Sequence, residues 1–240
     1  MTLLAGGLLL AGAALLAGAS GFGFGLLATP SLLLAGFSLP FVVTVNLVAS
    51  LLTRASIAYR FRAHVDRRRV CMLVGGSVPG LVLGAQLLTR VDPRPLKIAV
   101  GALVMAVSSS LALRRSPEPR TLPGGTVVAG FAGGLLTTTT SLSGVPPVLL
   151  LARQRLAAAV FYADLAVYFV AAAAIGLAVL AASHGLSTRA LYPAALLWLP
   201  GILVANAAGA SLGIRLEERR FRQLTAALAF AAGALTVASA

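Results

Sequence analysis

Two short stretches of the sequence combine the residue types that suit the binding of an anion. GFGFGLLATP (residues 21–30) places glycines before a Thr-Pro pair, and TTTTSLSGVPP (residues 137–147) places hydroxyl side chains before a glycine and two prolines. Glycine lets the backbone approach a ligand closely, and proline suits the first residue of a new helix. Because the start of a helix offers free N–H groups and the positive end of its dipole, both stretches predict an anion site.

The apolar runs beside these stretches supply further polar side chains. Asn46 and Ser50 are one helical turn apart and therefore share a face, and Arg54 continues that stripe toward an expected cavity mouth, where it would attract anions. We predict that the substrate is bound by Gly23, Gly25, Thr29, Ser31, Asn46, Ser50, Thr139, Thr140, Ser143, Gly144 and Tyr162. The alternative is that the glycines only allow close helix packing and that Asn46 only joins two helices by a hydrogen bond.

Asp164 is the one acidic residue of six that falls inside an apolar run. Acids within a membrane are costly and often functional, and Tyr168 lies one turn further on the same face, within reach of a hydrogen bond or a proton relay. Asp164 is therefore the candidate for coupling an anion to the proton gradient. The alternative is a structural role, in which Asp164 pairs with Arg153 or Arg155 near the cytoplasmic end of its helix.

Membrane helices must position these residues. The chain of 240 residues is 59% hydrophobic and only 10% charged, far more apolar than a soluble core requires. Apolar runs near the length of a membrane span recur at residues 2–36, 40–53, 70–89, 98–113, 121–152, 156–183, 190–214 and 223–240. The net charge of +13 lies in the short connections between them, where basic residues orient the protein and meet lipid headgroups, so no nucleic-acid partner is expected.

The chain is predicted to consist of two related halves, residues 1–120 and 121–240. GAQLLTRVDPRPLKIAVGAL, which begins at Gly84, matches GASLGIRLEERRFRQLTAAL, which begins at Gly209, in its small residues, its basic positions and the apolar helix that follows. A repeat of about half the chain length is typical of duplicated transporters.

The positions of the basic residues indicate how the two halves cross the membrane. Eight full crossings would divide the basic residues almost evenly between the two sides. If residues 2–36 and 124–152 are instead hairpins that enter and leave on one face, most basic residues fall on the cytoplasmic side, as the positive-inside rule requires. The predicted fold is an all-α polytopic membrane protein with an inverted repeat. Each half has a broken, re-entrant helical hairpin and about three transmembrane helices, and both termini lie outside.

Several other chemistries have no support in the sequence. Cys71 is the single cysteine, and the two histidines fall in loops without carboxylates at ligand spacing, so no metal site is expected. Neither a phosphate-binding GxxxxGK[ST] loop nor a Ser-His-Asp set is present. We therefore expect no cofactor and no enzymatic activity.

The first half of the chain resembles the sulfite exporter TauE/SafE family, also called the toluene sulfonate uptake permease family. The resemblance rests on GFGFGLLATPSLLLAGFSLPFVVTVNLVASLLTRASIAYRFRAHVDRRR followed by PGLVLGAQLLTRVDPRPLK, with the same order of parts repeated later. The chain departs from the family pattern at GFG (Gly23 to Gly25) and at the TTTTSLSG run, which stands where glycines are expected. The resemblance implies transport of a small anion, often a sulfur-containing one such as sulfite, a sulfonate or sulfoacetate, across the bacterial inner membrane.

Together these observations predict a secondary transporter that moves a small anion by alternating access and that takes up a proton at Asp164. An anion channel without ion coupling and a membrane assembly factor without transport activity are the alternatives. The expected partners are the anion and membrane lipids. A homodimer, the direction of transport and the identity of the anion are left open.

Overall fold

The fold of the described residues is entirely helical. The computed structural model describes residues 2–20, 24–113, 124–142, 144–154, 156–188 and 190–213, and positions 227, 230, 231, 234, 237 and 238. The α-helices are α1 (Thr2–Ser20), α2 (Phe24–Leu34), α3 (Leu39–Arg60), α4 (Arg67–Arg90), α5 (Pro93–Leu113), α6 (Gly125–Thr140), α7 (Val145–Arg153), α8 (Ala158–Ala182) and α9 (Leu196–Gly213). A 3₁₀ turn (Arg62–His64) precedes α4, and the segment Ala190–Ala195, whose backbone is kinked at Tyr192, leads into α9.

Four helical segments of the described chain are long and apolar enough to cross a membrane. They are Leu39–Arg60, Arg67–Arg90, Ala159–Ala182 and Tyr192–Gly209. Helices α2 and α7 have only 11 and 9 residues, and a rise of 1.5 Å per residue makes them about 16 and 14 Å long, against about 30 Å for the hydrocarbon core. The prediction of an all-α, multi-pass membrane protein is confirmed. Helices α2 and α7 are too short to span the membrane.

Each of the two predicted interruptions separates two helices. In the second, α6 ends at Thr140, Ser141 adopts a left-handed conformation (φ 56°), and α7 begins at Val145 with Pro146 in its first turn. The first interruption differs from the prediction, because α2 already begins at Phe24 and Pro30 lies inside it. The apolar residues before Pro30 extend the helix backwards, and the backbone hydrogen bond that a proline removes is tolerated in a membrane helix whose neighbours satisfy the freed carbonyl.

Contacts within the chain group it into two compact units. The first unit comprises Met1–Ala49, Val91–Arg115 and Ser187–Ala240, and the second comprises Ser50–Arg90 and Ser116–Leu186. The predicted halves, residues 1–120 and 121–240, concern sequence repeats rather than contacts, and they stay a prediction.

In the first unit, α9 packs along α1. A Cβ atom at Gly209 would meet the backbone carbonyl of Leu15, so the glycine is what allows the two helices to approach this closely. Near the other end of α9, the buried Trp198 packs edge-on against the rings of Phe37 and Phe41. This aromatic group also ties the loop after α2 to α9.

In the second unit, α4 packs along α6 through small residues on both helices. A Cβ atom on any of five glycines would collide with the facing helix; these are Gly76, Gly80 and Gly84 on α4 and Gly130 and Gly134 on α6. The Thr138 hydroxyl on α6 donates a hydrogen bond of 2.8 Å to the Leu81 carbonyl on α4. Helix α8 closes this unit, with Leu165, Tyr168 and Phe169 packed among Leu73 and Leu151.

Candidate functional site

In the first unit, Thr29 on α2 and Asn46 on α3 are brought together. The Asn46 side-chain N–H donates to the Thr29 hydroxyl at 3.1 Å, and both residues are buried. On the same helix, the buried Thr44 hydroxyl donates to the Pro40 carbonyl and accepts the Ser187 N–H. The buried polar side chains of Thr44 and Asn46 therefore lie along the start of α3.

The early start of α2 changes what its predicted ligands can offer. Thr29 and Ser31 lie inside the helix rather than at its first turn, so they offer hydroxyl groups but no free helix-start N–H groups. Gly25 is the second residue of α2, and Gly23 lies outside the described residues. The predicted helix start at residues 29–31 is therefore wrong, because Thr29 and Ser31 both lie within α2.

In the second unit, the threonine run is buried and its hydroxyls are occupied. Thr137, Thr139 and Thr140 donate to carbonyls one turn earlier in α6, at 2.6, 2.7 and 2.9 Å. Threonine in a helix commonly bonds back in this way. A hydroxyl has only one proton to donate, so any of these threonines must rotate away from its carbonyl before it can donate to an anion.

The start of α7 offers fewer N–H donors than its position suggests. Gly144 precedes the helix and its flank is covered by the Phe169 ring, which lies 3.0 Å from where a Cβ atom would be. Pro146 and Pro147 have no N–H group, and the Val148 N–H bonds to the Gly144 carbonyl. Of the three residues that open α7, only Val145 carries a backbone N–H. Ser143, also a predicted ligand, lies outside the described residues.

Asp164 on α8 is completely buried and bound to the start of α4. Its carboxylate accepts the Asp66 backbone N–H at 2.8 Å and a hydrogen bond from the Arg69 guanidinium. Arg69 also pairs with the Asp66 carboxylate at 3.0 Å. The predicted alternatives named Arg153 and Arg155 as its partners; the partner that the structure gives is Arg69, and the Arg153 side chain and Arg155 lie outside the described residues.

Tyr168 does not form the expected hydrogen bond to Asp164. Its ring is buried in the core of the second unit and its hydroxyl comes near Thr137. Within the described part of the chain, that hydroxyl has no hydrogen-bond partner of good geometry. A proton relay from Asp164 to Tyr168 is therefore not formed in this structure.

The side chains of Tyr162 and Arg54 differ in exposure. Tyr162 is exposed, whereas Arg54 is buried with only 8% of its surface exposed. The Arg54 guanidinium lies 5.6 Å from the centre of the Phe169 ring on α8. The sequence indicated Arg54 as an anion attractor at a cavity mouth, but nothing in it distinguished Phe169 from an ordinary packing aromatic.

The described residues contain no group of three or more His, Cys, Asp or Glu side chains that could hold a metal ion. The ligands that they do offer are hydroxyls, an amide, backbone N–H groups and guanidinium groups, which are hydrogen-bond donors for anions.

Comparison with known families agrees with this chemistry. The family model described as Sulfite exporter TauE/SafE matches residues 4–236 of the chain. No match is found among curated proteins or among solved structures. Because the family match covers nearly the whole chain, this multi-pass membrane protein belongs to the sulfite exporter TauE/SafE family, whose members are transporters of sulfur-containing anions and not enzymes.

Proposed function

We propose that this protein is a secondary transporter that moves a small sulfur-containing anion, such as sulfite, a sulfonate or sulfoacetate, across the bacterial inner membrane by alternating access. The observation that carries the proposal is the pair of interrupted helices. In each, an apolar helix is followed by one too short to span. Buried hydroxyl side chains belong to both, since Thr29 lies within α2 and Thr137 to Ser141 precede α7. Irregular backbone at membrane depth is tolerated only where protein or a watery cavity satisfies it.

The helix pairings support an inverted repeat. Helix α1 of the first half packs with α9 of the second half, and α6 of the second half packs with α4 of the first. If α1 corresponds to α6 and α4 to α9, these two pairings are equivalent under exchange of the halves. Gly84 and Gly209, which the sequence repeat aligns, each lie against the partner helix in the corresponding pairing. Such exchanged pairs are expected of a duplicated transporter.

Asp164 is proposed to couple transport to protons. The groups that face it are the Arg69 guanidinium and the Asp66 N–H and carboxylate at the start of α4. Among the described residues, nearby charged or titratable side chains include His64, in the 3₁₀ turn that packs on α8, and Arg68, which lines an adjacent cavity of about 390 Å³. Protonation of Asp164 would remove its charge and weaken its bond to Arg69, which would keep its pair with Asp66, so a proton would have a structural consequence at the junction of α4 and α8.

The experiment that tests the proposal is uptake of radiolabelled sulfite and sulfoacetate into proteoliposomes, with and without a pH gradient. Asp164→Asn is the variant and Asp92→Asn the control, because Asp92 is an exposed acid in the connection between α4 and α5. The comparison uses only preparations that are monodisperse and that show a cooperative thermal unfolding transition. We expect accumulation driven by the gradient in the wild type and in Asp92→Asn, and its loss in Asp164→Asn.

The remaining outcomes separate the alternatives. Flux that ignores both the gradient and Asp164 would indicate an uncoupled anion channel and would leave Asp164 a structural residue. No flux of either anion would remove the proposed substrate class, and an assembly factor without transport activity would then explain the chain better.

A further inference from the structure

Arg54 is a buried cation in a membrane helix, and the anion site described so far does not use it. It lies in the span Leu39–Arg60, six residues or about 9 Å along the axis before the last residue of α3. Only 8% of its surface is exposed. A buried charge in a membrane span is costly and usually marks a pathway or a binding site.

One aromatic residue of α8 packs against the Arg54 side chain. The centre of the Phe169 ring lies 5.6 Å from the guanidinium, within the range of a cation–π contact. Tyr162 and Phe169 are seven residues apart, which places them on one face of α8 about 10 Å apart along its axis. Tyr162 is exposed and Phe169 is buried, so this face of α8 leads from an accessible aromatic ring to the buried ring that contacts Arg54.

The Phe169 ring also connects Arg54 to the second interruption. It lies against Gly144, the residue that precedes α7. Because Pro146 and Pro147 contribute no N–H group, the start of α7 is a weak anion site by itself. A guanidinium beside the same ring would supply the positive charge and the paired N–H donors that the helix start lacks.

We propose that Arg54 is the residue that recognises the anion, binding two oxygen atoms of a small sulfur oxyanion that passes Tyr162 and is held beside Phe169 and Gly144. This inference rests on the proposed transport function and names the recognition group of its site. The planar guanidinium matches the geometry of two S–O oxygens, so a sulfonate or sulfite is favoured over a spherical anion such as chloride.

The same helix provides a matched control. Arg60 also lies over an aromatic ring, that of Phe61, at 5.8 Å, but it is exposed at the end of α3. Substitution of Arg60 removes a guanidinium and a cation–π contact without touching the buried position. A difference between the Arg54 and Arg60 variants therefore reports the environment of Arg54 rather than the loss of a positive charge.

The experiment measures the shift of unfolding temperature of the detergent-purified protein as sulfite, methanesulfonate, chloride or phosphatidylglycerol is titrated. We expect sulfite and methanesulfonate to stabilise the wild type and Arg60→Gln in a saturable way, and chloride to have little effect. Arg54→Gln should lose this response. Arg54→Lys, which keeps the charge but not the planar pair of donors, should weaken binding about tenfold.

Each other outcome overturns the inference. Stabilisation of Arg54→Gln equal to the wild type, or no response of the wild type to either oxyanion, would make Arg54 a structural cation on Phe169. A response that depends on Arg54 but comes only from phosphatidylglycerol would make the site a lipid headgroup site. If Arg54→Gln does not fold, the test falls to Arg54→Lys. An oxyanion affinity of Arg54→Lys equal to that of the wild type would then contradict the inference.

Flux measurements separate this inference from the transport proposal. Oxyanion binding that needs Arg54, in a protein without flux, would contradict transport and leave the recognition site standing. Flux unchanged by Arg54→Gln would contradict the recognition site and leave transport standing.

Discussion

Arg69 holds two carboxylates of different character. Asp66 is half-exposed and close in sequence, whereas Asp164 is fully buried and 95 residues away. Charge pairs at the surface are worth little, but a buried carboxylate without its partner is expensive. The pair of Arg69 with Asp164 therefore contributes more to the free energy of unfolding than the pair of Arg69 with Asp66.

Substitution of the two acids should separate these contributions. Asp164→Asn should lower the free energy of unfolding by about 1.5–3 kcal/mol, because Arg69 loses its hydrogen bond to a buried carboxylate but keeps its pair with Asp66. Asp66→Asn should cost less than about 1 kcal/mol, since asparagine still caps α4 through the Arg69 N–H. Reversible unfolding in mixed micelles measures both values, and equal costs would contradict this division of the cluster.

Tyr168 provides a second test at the scale of one atom. Among the described residues the Tyr168 hydroxyl has no hydrogen-bond partner of good geometry, and such a buried group costs stability. Tyr168→Phe should therefore leave the unfolding free energy unchanged or raise it by up to about 1 kcal/mol. Tyr162→Phe, at an exposed position, is the control for loss of a phenol on α8. A clear loss of stability in Tyr168→Phe alone would show that its hydroxyl has a partner in the membrane, such as water.

Among single residues, sequence reasoning identified the unusual positions but not their partners. Asp164 was recognisable because it is an acid in an apolar run. Its partner Arg69 was not, because one of six arginines in the same connection is selected by tertiary packing alone. The contact of Arg54 with Phe169 was hidden for the same reason.

The packing of α4 on α6 depends on glycine at particular positions. A Cβ atom at Gly80 would overlap the Phe131 carbonyl on α6, whereas Gly75, on the same helix, has open space around it. Gly80→Ala should therefore destabilise the protein by about 1–3 kcal/mol through forced separation of the helices. Gly75→Ala should stabilise it by about 0.5–1 kcal/mol, because alanine is the better helix former.

Thermal unfolding of the two alanine variants in the same detergent checks this prediction. If Gly80→Ala were as stable as Gly75→Ala, the two helices would have room to separate. The close α4–α6 contact would then not require small residues.

At the scale of helices, the sequence located the interruptions better than the helix ends. The hydroxyl run followed by glycine and proline placed the second helix start within residues 143–148, and α7 begins at Val145. The start of α2 was placed at Pro30 instead of Phe24. Proline is a strong signal for a first helical turn in water, but a membrane helix can continue through it. Apart from the small residues on both helices, nothing in the sequence indicated that α4 packs on α6.

At the scale of the whole chain, the predicted inverted topology has a direct test. Because most basic residues should face the cytoplasm, both termini are expected outside. Alkaline phosphatase fused at either terminus should be active, and green fluorescent protein at the same positions should be dark. Fusions in the connection around Arg68 should give the opposite result, and a cytoplasmic terminus would contradict the hairpin arrangement.

The exchange of helix partners also determines the order in which the protein can be completed during translation. Helix α4 leaves the ribosome before α6, its main partner. Helix α1 is made first, and its partner α9 is made near the end of synthesis. The glycine-rich face of α4 must therefore remain in the bilayer, covered by lipid or by the insertion machinery, until the second half arrives. The first half synthesised alone would keep that face open, and a separately expressed second half would supply what closes it.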